Sequence, residues 1–181
     1  MPRFSTACPY LCQFDNDLYP GGSCNMTSLG MALLHYRLAD GVPGAAARVS
    51  DRLLQYCDDH GLDRHDLAVI RNLAVRFGLA DNASFAHTFD EIKAHLSKGE
   101  LVIIQGNFTP SGHVVVFCGL DTDRGEWCAC DPAGDHTAPN GYHNPGWRSG
   151  DHVWYPSEWV RACAAPDGDG KVWAHLLGRA K

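Results

Sequence analysis

The spacing of apolar residues changes once along this chain, and that change constrains the fold more than any other feature. Up to Leu96 the apolar side chains recur every three or four positions; from Leu101 onward they run together or alternate. The first pattern buries one stripe of a helix, and the second buries one or both faces of a strand. Helices first and strands second predict an α+β fold in which N-terminal helices pack on a C-terminal antiparallel sheet.

Local punctuation sets the expected elements. Residues 1–22 are broken by Pro9, Asp15-Asn16, Pro20 and Gly21-Gly22, and read as irregular. A first helix is predicted over residues 23–39, with Ser23 as its N-cap and Met26, Leu29, Leu33 and Tyr36 as its apolar stripe. A second is predicted over residues 45–60, closed by Gly61, and a third over residues 64–77, closed by Gly78. A fourth starts at Thr88, which pairs with Glu91 as a capping box, and ends at Lys98-Gly99. Strands are predicted over residues 101–105, 113–120 and 126–131, the last two joined by a hairpin loop. Residues 132–151 are rich in Gly, Pro, Asn and His and read as a long surface loop. Residues 152–155 and 171–177 are further strand candidates, with a short helical piece capped by Ser157 between them.

The chain has 181 residues, enough to bury about two thirds of its unfolded surface, and a single domain over 1–181 is expected. Lys and Arg total 15 against 21 Asp and Glu, a net charge of −6, and the arginines are scattered. That balance argues against binding to a nucleic-acid backbone. No apolar run is long enough to span a membrane, and no signal-type stretch follows Met1. The expectation is a cytoplasmic monomer with no nucleic-acid or membrane partner. The eight cysteines are too few for a disulfide scaffold and read mostly as buried small side chains or free thiols. Cys8-x3-Cys12 and Cys128-x-Cys130 lack the pair spacing of zinc ribbons and fingers, and His136, His143 and His152 match no standard ligand set. No metal and no cofactor are expected.

One thiol stands apart by position. Cys24 falls in the first turn of the first helix, after Gly21-Gly22-Ser23, where unpaired backbone N–H groups and the helix dipole lower a thiol pKa. The same place also suits a small buried cysteine. His113 opens the strongest β run, next to Ser111 and Gly112, where a ring can overhang a cleft; it also suits a strand-end histidine bonded to a carbonyl. Asp131 ends the return strand, at the same open end of the hairpin as His113. A carboxylate there can accept from one ring nitrogen and leave the other for a thiol, or it can cap its own turn before Pro132. Gln13, in the irregular segment, offers a side-chain N–H that could join the Cys24 N–H around an oxyanion; Asp15 and Asn16 compete for that role or structure the loop. Gly22, Ser23, Asn25 and Gly112 are the candidates for substrate contact beside these groups, with Tyr142 and Trp147 as candidate rim residues on the long loop.

Two stretches carry a resemblance. The first is Gln13-Phe14-Asp15-Asn16 followed by Tyr19-Pro20-Gly21-Gly22-Ser23-Cys24-Asn25-Met26-Thr27-Ser28-Leu29-Gly30-Met31-Ala32; the second is Ser111-Gly112-His113-Val114-Val115-Val116 with Trp127 and Asp131-Pro132-Ala133-Gly134. In order and local context they resemble the C39-like cysteine peptidases of the papain-like group, while residues 41–100 resemble them poorly. The resemblance implies a papain-like fold and amide cleavage through a thioester. It implies Cys24 as nucleophile, His113 as general base, Asp131 as the acid orienting the base, and Gln13 in the oxyanion hole. The family includes leader-peptide cutters attached to exporters and wall-lytic enzymes. Asn25 stands where the exporter-linked members usually carry glycine, which favours the wall-lytic or general branch; a peptidoglycan peptide is the expected substrate, with the enzyme released to act at the cell wall. A protein-directed protease or isopeptidase, and a thioester-using acyltransferase, are the alternatives.

Overall fold

The computed structural model describes residues 3–138, 142 and 150–180. Seven strands form one antiparallel sheet: β1 (Phe4–Ser5), β2 (Leu79–His87), β3 (Leu101–Gly106), β4 (His113–Asp121), β5 (Glu126–Cys130), β6 (Val153–Pro156) and β7 (Val172–Arg179). The order is β2-β7-β3-β4-β5-β6, and β1 pairs with β4 beyond the end of β3. Helices α1 (Cys24–His35), α2 (Val49–His60) and α3 (Leu67–Arg76) precede most of the sheet in sequence; α4 (Phe89–Leu96) and α5 (Ser157–Ala164) are interleaved with it. The expected α+β class, with N-terminal helices on an antiparallel sheet, is the one observed.

Alternation along β4 separates two cores. Val114, Val116 and Cys118 join Met26, Leu29 and Leu33 of α1 and Leu53 and Leu54 of α2 in one cluster. Val115 and Phe117 join Phe89, Ile92 and Leu96 of α4 and Val160 of α5 in the other. Helices therefore cover both faces, which explains why every residue of β4 is buried. α4 lies on the face opposite α1–α3, so the helices do not form one N-terminal layer. Its Thr88–Glu91 capping box is present in both directions.

Several boundaries differ from the sequence expectation. α1 stops at His35 because Arg37 adopts a left-handed φ of 59° and the Leu38 N–H turns back to the Leu33 carbonyl at 2.8 Å. α2 and α3 each begin a turn late, at Val49 and Leu67. Strands β1 and β2 were not expected. β2 contains Asp81, Asn82 and Ser84, poor strand formers, and is held by cross-strand pairing to β7. It also carries a buried hydrogen bond: Asp81 Oδ2 lies 2.7 Å from His175 Nδ1, with side chains 0% and 2% exposed. Removing Asp81 leaves that ring nitrogen without its partner in the core, so Asp81→Ala is expected to cost about 1–3 kcal/mol. Urea unfolding checks this, and a loss below about 1 kcal/mol would show that the pair behaves as a surface contact.

All eight cysteines are free thiols, and six of them are buried. Among the described residues no helix is long and apolar enough to cross a membrane.

Candidate active site

The site begins with the support under α1. Asn16 is buried, and its amide donates to Ser23 Oγ and Thr27 Oγ1, both at 2.9 Å, while accepting from Ser50 Oγ at 2.6 Å. Asp51 accepts from the Asp17 and Leu18 N–H groups at 2.9 and 3.0 Å. These bonds tie the irregular segment before Cys24 to the helices behind it. They also correct two expectations. Ser23 occupies the N-cap position, but its hydroxyl points inward to Asn16 and makes no capping bond. Fully buried, it lies behind the cleft, not on its lining. The role of Asn16 is the structural one.

With Ser23 turned inward, Cys24 becomes the first helical residue, at the wall of a cleft of about 490 Å³. Burial raises its thiol pKa, but interaction with the His113 ring and with the Val114 and Asn25 backbone N–H groups outweighs this, and the net shift is downward. As the first residue of the helix its own N–H has no intrahelical acceptor, which leaves it available to a developing negative charge.

His113 opens β4 opposite Gly106, and Asp131 follows β5. The antiparallel register brings them together at the open end of the hairpin: His113 Nε2 and Asp131 Oδ1 are 2.8 Å apart. That bond occupies Nε2 and leaves Nδ1 as the nitrogen able to serve the thiol. Burial pulls the His113 pKa down, but the Asp131 charge and hydrogen bond, with help from Cys24, overcome it and lift it to about 10. Asp131 is fully buried and saturated. Oδ1 also accepts the Ala133 N–H at 2.9 Å, and Oδ2 accepts the hydroxyls of Tyr142 at 2.7 Å and Tyr155 at 2.9 Å. The Asp131 N–H donates to the Gly150 carbonyl at 2.8 Å, and a Cβ on Gly150 would collide with the Asp131 carbonyl. So the carboxylate is fixed by four donors and its backbone by one neighbour that must be glycine.

Gln13 opens a short 3-10 turn across the cleft from His113. Its backbone N–H donates to the Pro132 carbonyl at 2.8 Å, which joins the Gln13 segment to the Asp131 loop. Its Nε2 donates to the Pro20 carbonyl at 3.0 Å, and its Oε1 is buried without a hydrogen-bond partner among the described residues. One amide hydrogen is thus used to hold the orientation, and Gln13 shares the lining of the cleft with Cys24.

Of the remaining candidates, Gly22 and Gly112 line the cleft. Gly112 has a φ of 81°, a conformation that favours glycine in the turn before His113. Asn25 reaches the lining, but its amide is directed to the Arg64 carbonyl and the His65 ring. Tyr142 lines the cleft and packs edge-on against His113 with centroids 5.5 Å apart, so it braces the Asp131–His113 pair as well as forming a wall. Trp147 and His143 lie outside the described residues. Tyr155, His65 and Gln105 were not singled out in the sequence; the inward turn of Tyr155 in a short strand is the only signal that could have marked it.

A thiol with a lowered pKa, an imidazole held by a buried carboxylate and N–H donors on the facing wall form an arrangement suited to nucleophilic attack on a carbonyl. The Peptidase_C39 like family matches residues 5–158. A search of curated proteins gives no match. Two solved structures share the fold. One is a double glycine motif protease from an AMS/PCAT transporter, in complex with the leader peptide; it is 17% identical, with a TM-score of 0.58, and the match covers 97% of this chain and 94% of that one. The other is a C39-like peptidase from Bacillus anthracis, 16% identical, with a TM-score of 0.55 over the whole of both chains.

Proposed function

Since the chain belongs to the Peptidase_C39 like family of cysteine peptidases, we propose that it hydrolyses amide bonds of a polypeptide through a thioester on Cys24. The observation that carries this reading is the occupied Nε2 of His113. Its bond to Asp131 Oδ1 leaves Nδ1 for Cys24, so thiol, base and orienting acid act in line. The Cys24 thiolate attacks the scissile carbonyl carbon, and the Cys24 N–H and the Gln13 amide donate to the oxyanion. His113 passes its Nδ1 proton to the leaving nitrogen, and the thioester forms as the C–N bond breaks. Water, deprotonated by His113, attacks the thioester and releases the acid and the thiol. No metal takes part in these steps.

A polypeptide is favoured over a wall peptide because a relative of the same fold was solved with a leader peptide, and because Gly21, Gly22 and Gly112 line the cleft without side chains that would obstruct an extended backbone. Residues 1–181 are taken as one peptidase domain acting as a monomer. The test digests a proteome-derived peptide library and a purified muropeptide mixture with wild type and with Cys24→Ala, both read by mass spectrometry. New Cys24-dependent termini after small residues in the library are expected. Muropeptide cleavage with an untouched library would overturn the reading and make the peptidoglycan bond the substrate.

A further inference from the structure

A second cluster of reactive groups lies apart from the cleft. The ligating atoms of Cys118, Cys130 and His152 all lie within 4.8 Å of one another. They come from β4, from the end of β5 and from the residue before β6, so no sequence spacing could reveal them. Cys118 and Cys130 are wholly buried, whereas the His152 side chain is 32% exposed. Cys8 adjoins them: its thiol interacts with that of Cys130, and its N–H lies 3.4 Å from His152 Nε2.

We propose that Cys118, Cys130 and His152 bind a zinc-class divalent ion. Tetrahedral zinc, with bonds of about 2.3 Å to sulfur and about 2.0–2.1 Å to nitrogen, holds its ligand atoms about 3.4–3.8 Å apart. Cys130 Sγ and His152 Nδ1 are already 3.8 Å apart. Two thiolates and one imidazole are the donor set such an ion selects over magnesium or calcium. A proton on His152 Nε2, donated to the Thr6 carbonyl at 3.2 Å in place of the longer contact from the Cys8 N–H, leaves the Nδ1 lone pair for the metal. The Nδ1 contact with Asp151 at 2.6 Å is then replaced, and Asp151 is exposed and free to turn to water. His152 is one of three described non-glycine residues with a positive φ, at 52°, so its ring is delivered at a backbone cost. A surface cavity lined by Cys8, Leu34, His35, Asp151 and His152 offers access.

Binding displaces the thiol protons of the ligating cysteines, so affinity rises with pH. The ion would tie β4 to β5 and to the segment after Gly150. Cys130 precedes Asp131, and Gly150 accepts the Asp131 N–H, so the clamp would fix the backbone on both sides of that carboxylate.

The test uses the full chain carrying Cys24→Ala, which removes the Cys24–His113 pair as a competing metal site. Cobalt(II) is expected to bind one ion per chain with a thiolate-to-cobalt charge-transfer band, and zinc to displace it and raise the melting temperature. Adding Cys118→Ser should abolish the band. Adding His152→Gln, a half-exposed change that leaves the core intact, should abolish the zinc-dependent thermal shift. No band and no shift in the Cys24→Ala chain, binding that survives both added substitutions, or a Cys118–Cys130 disulfide in freshly purified protein would each overturn the proposal.

Discussion

Replacing Cys24 by alanine is expected to lower kcat by roughly 10⁶-fold. The size follows from the chemistry. Without sulfur no thioester forms, and no other residue in the cleft is placed to carry the acyl group; of the nearby hydroxyls, Thr109 donates to the Gly112 carbonyl at 2.7 Å and Ser111 is paired with Thr109 at 3.3 Å. The fold should survive, because the side chain lies at a cleft wall and the buried network around Asn16 does not include it. Alkylation supplies the complementary measurement. Iodoacetamide at neutral pH should modify Cys24 ahead of Cys12, the other partly exposed thiol, because the His113 imidazole and two backbone N–H groups stabilise the Cys24 anion. Peptide mapping decides it: faster labelling of Cys12, or activity retained in Cys24→Ala, removes Cys24 from the mechanism.

Asp131→Asn carries the second large effect, up to roughly 10⁴-fold in turnover. In wild type the thiol ionises below its ordinary pKa of 9.0, so activity rises on the acid side of that value. The imidazolium persists to about 10, so activity falls as pH passes through that region. Asparagine can still occupy the position, but it removes the negative charge that raises His113. The alkaline limb should therefore move down toward the roughly 6.5 of an ordinary histidine, and the thiol pKa should move up as its cationic partner is lost. The bell narrows from both sides, and the two limbs report the coupled pair and not either residue alone. Turnover and Cys24 alkylation rate against pH measure both limbs. Wild-type profiles in Asp131→Asn would reduce Asp131 to a turn residue.

How far the sequence reaches is clear from particular residues. Periodicity located α4 with its capping box and the β4–β5 hairpin, because each rests on contacts between residues near in sequence or on the strict two-residue alternation of a strand. Hairpin pairing alone also placed His113 and Asp131 at one end of the sheet, and the helix start singled out Cys24 among eight thiols. β2 was beyond reach because its composition opposes a strand, and only pairing with β7, more than eighty residues later, overrides it. Ser23 illustrates the same limit at one atom: its local role as a cap is displaced by a tertiary bond to Asn16. The tyrosines on Asp131, the glycine its backbone requires and the Cys118–Cys130–His152 cluster belong to this second class. Each depends on which segments the sheet order sets side by side, and that order is settled by packing two cores against one sheet, a property of the whole chain and of no single stretch.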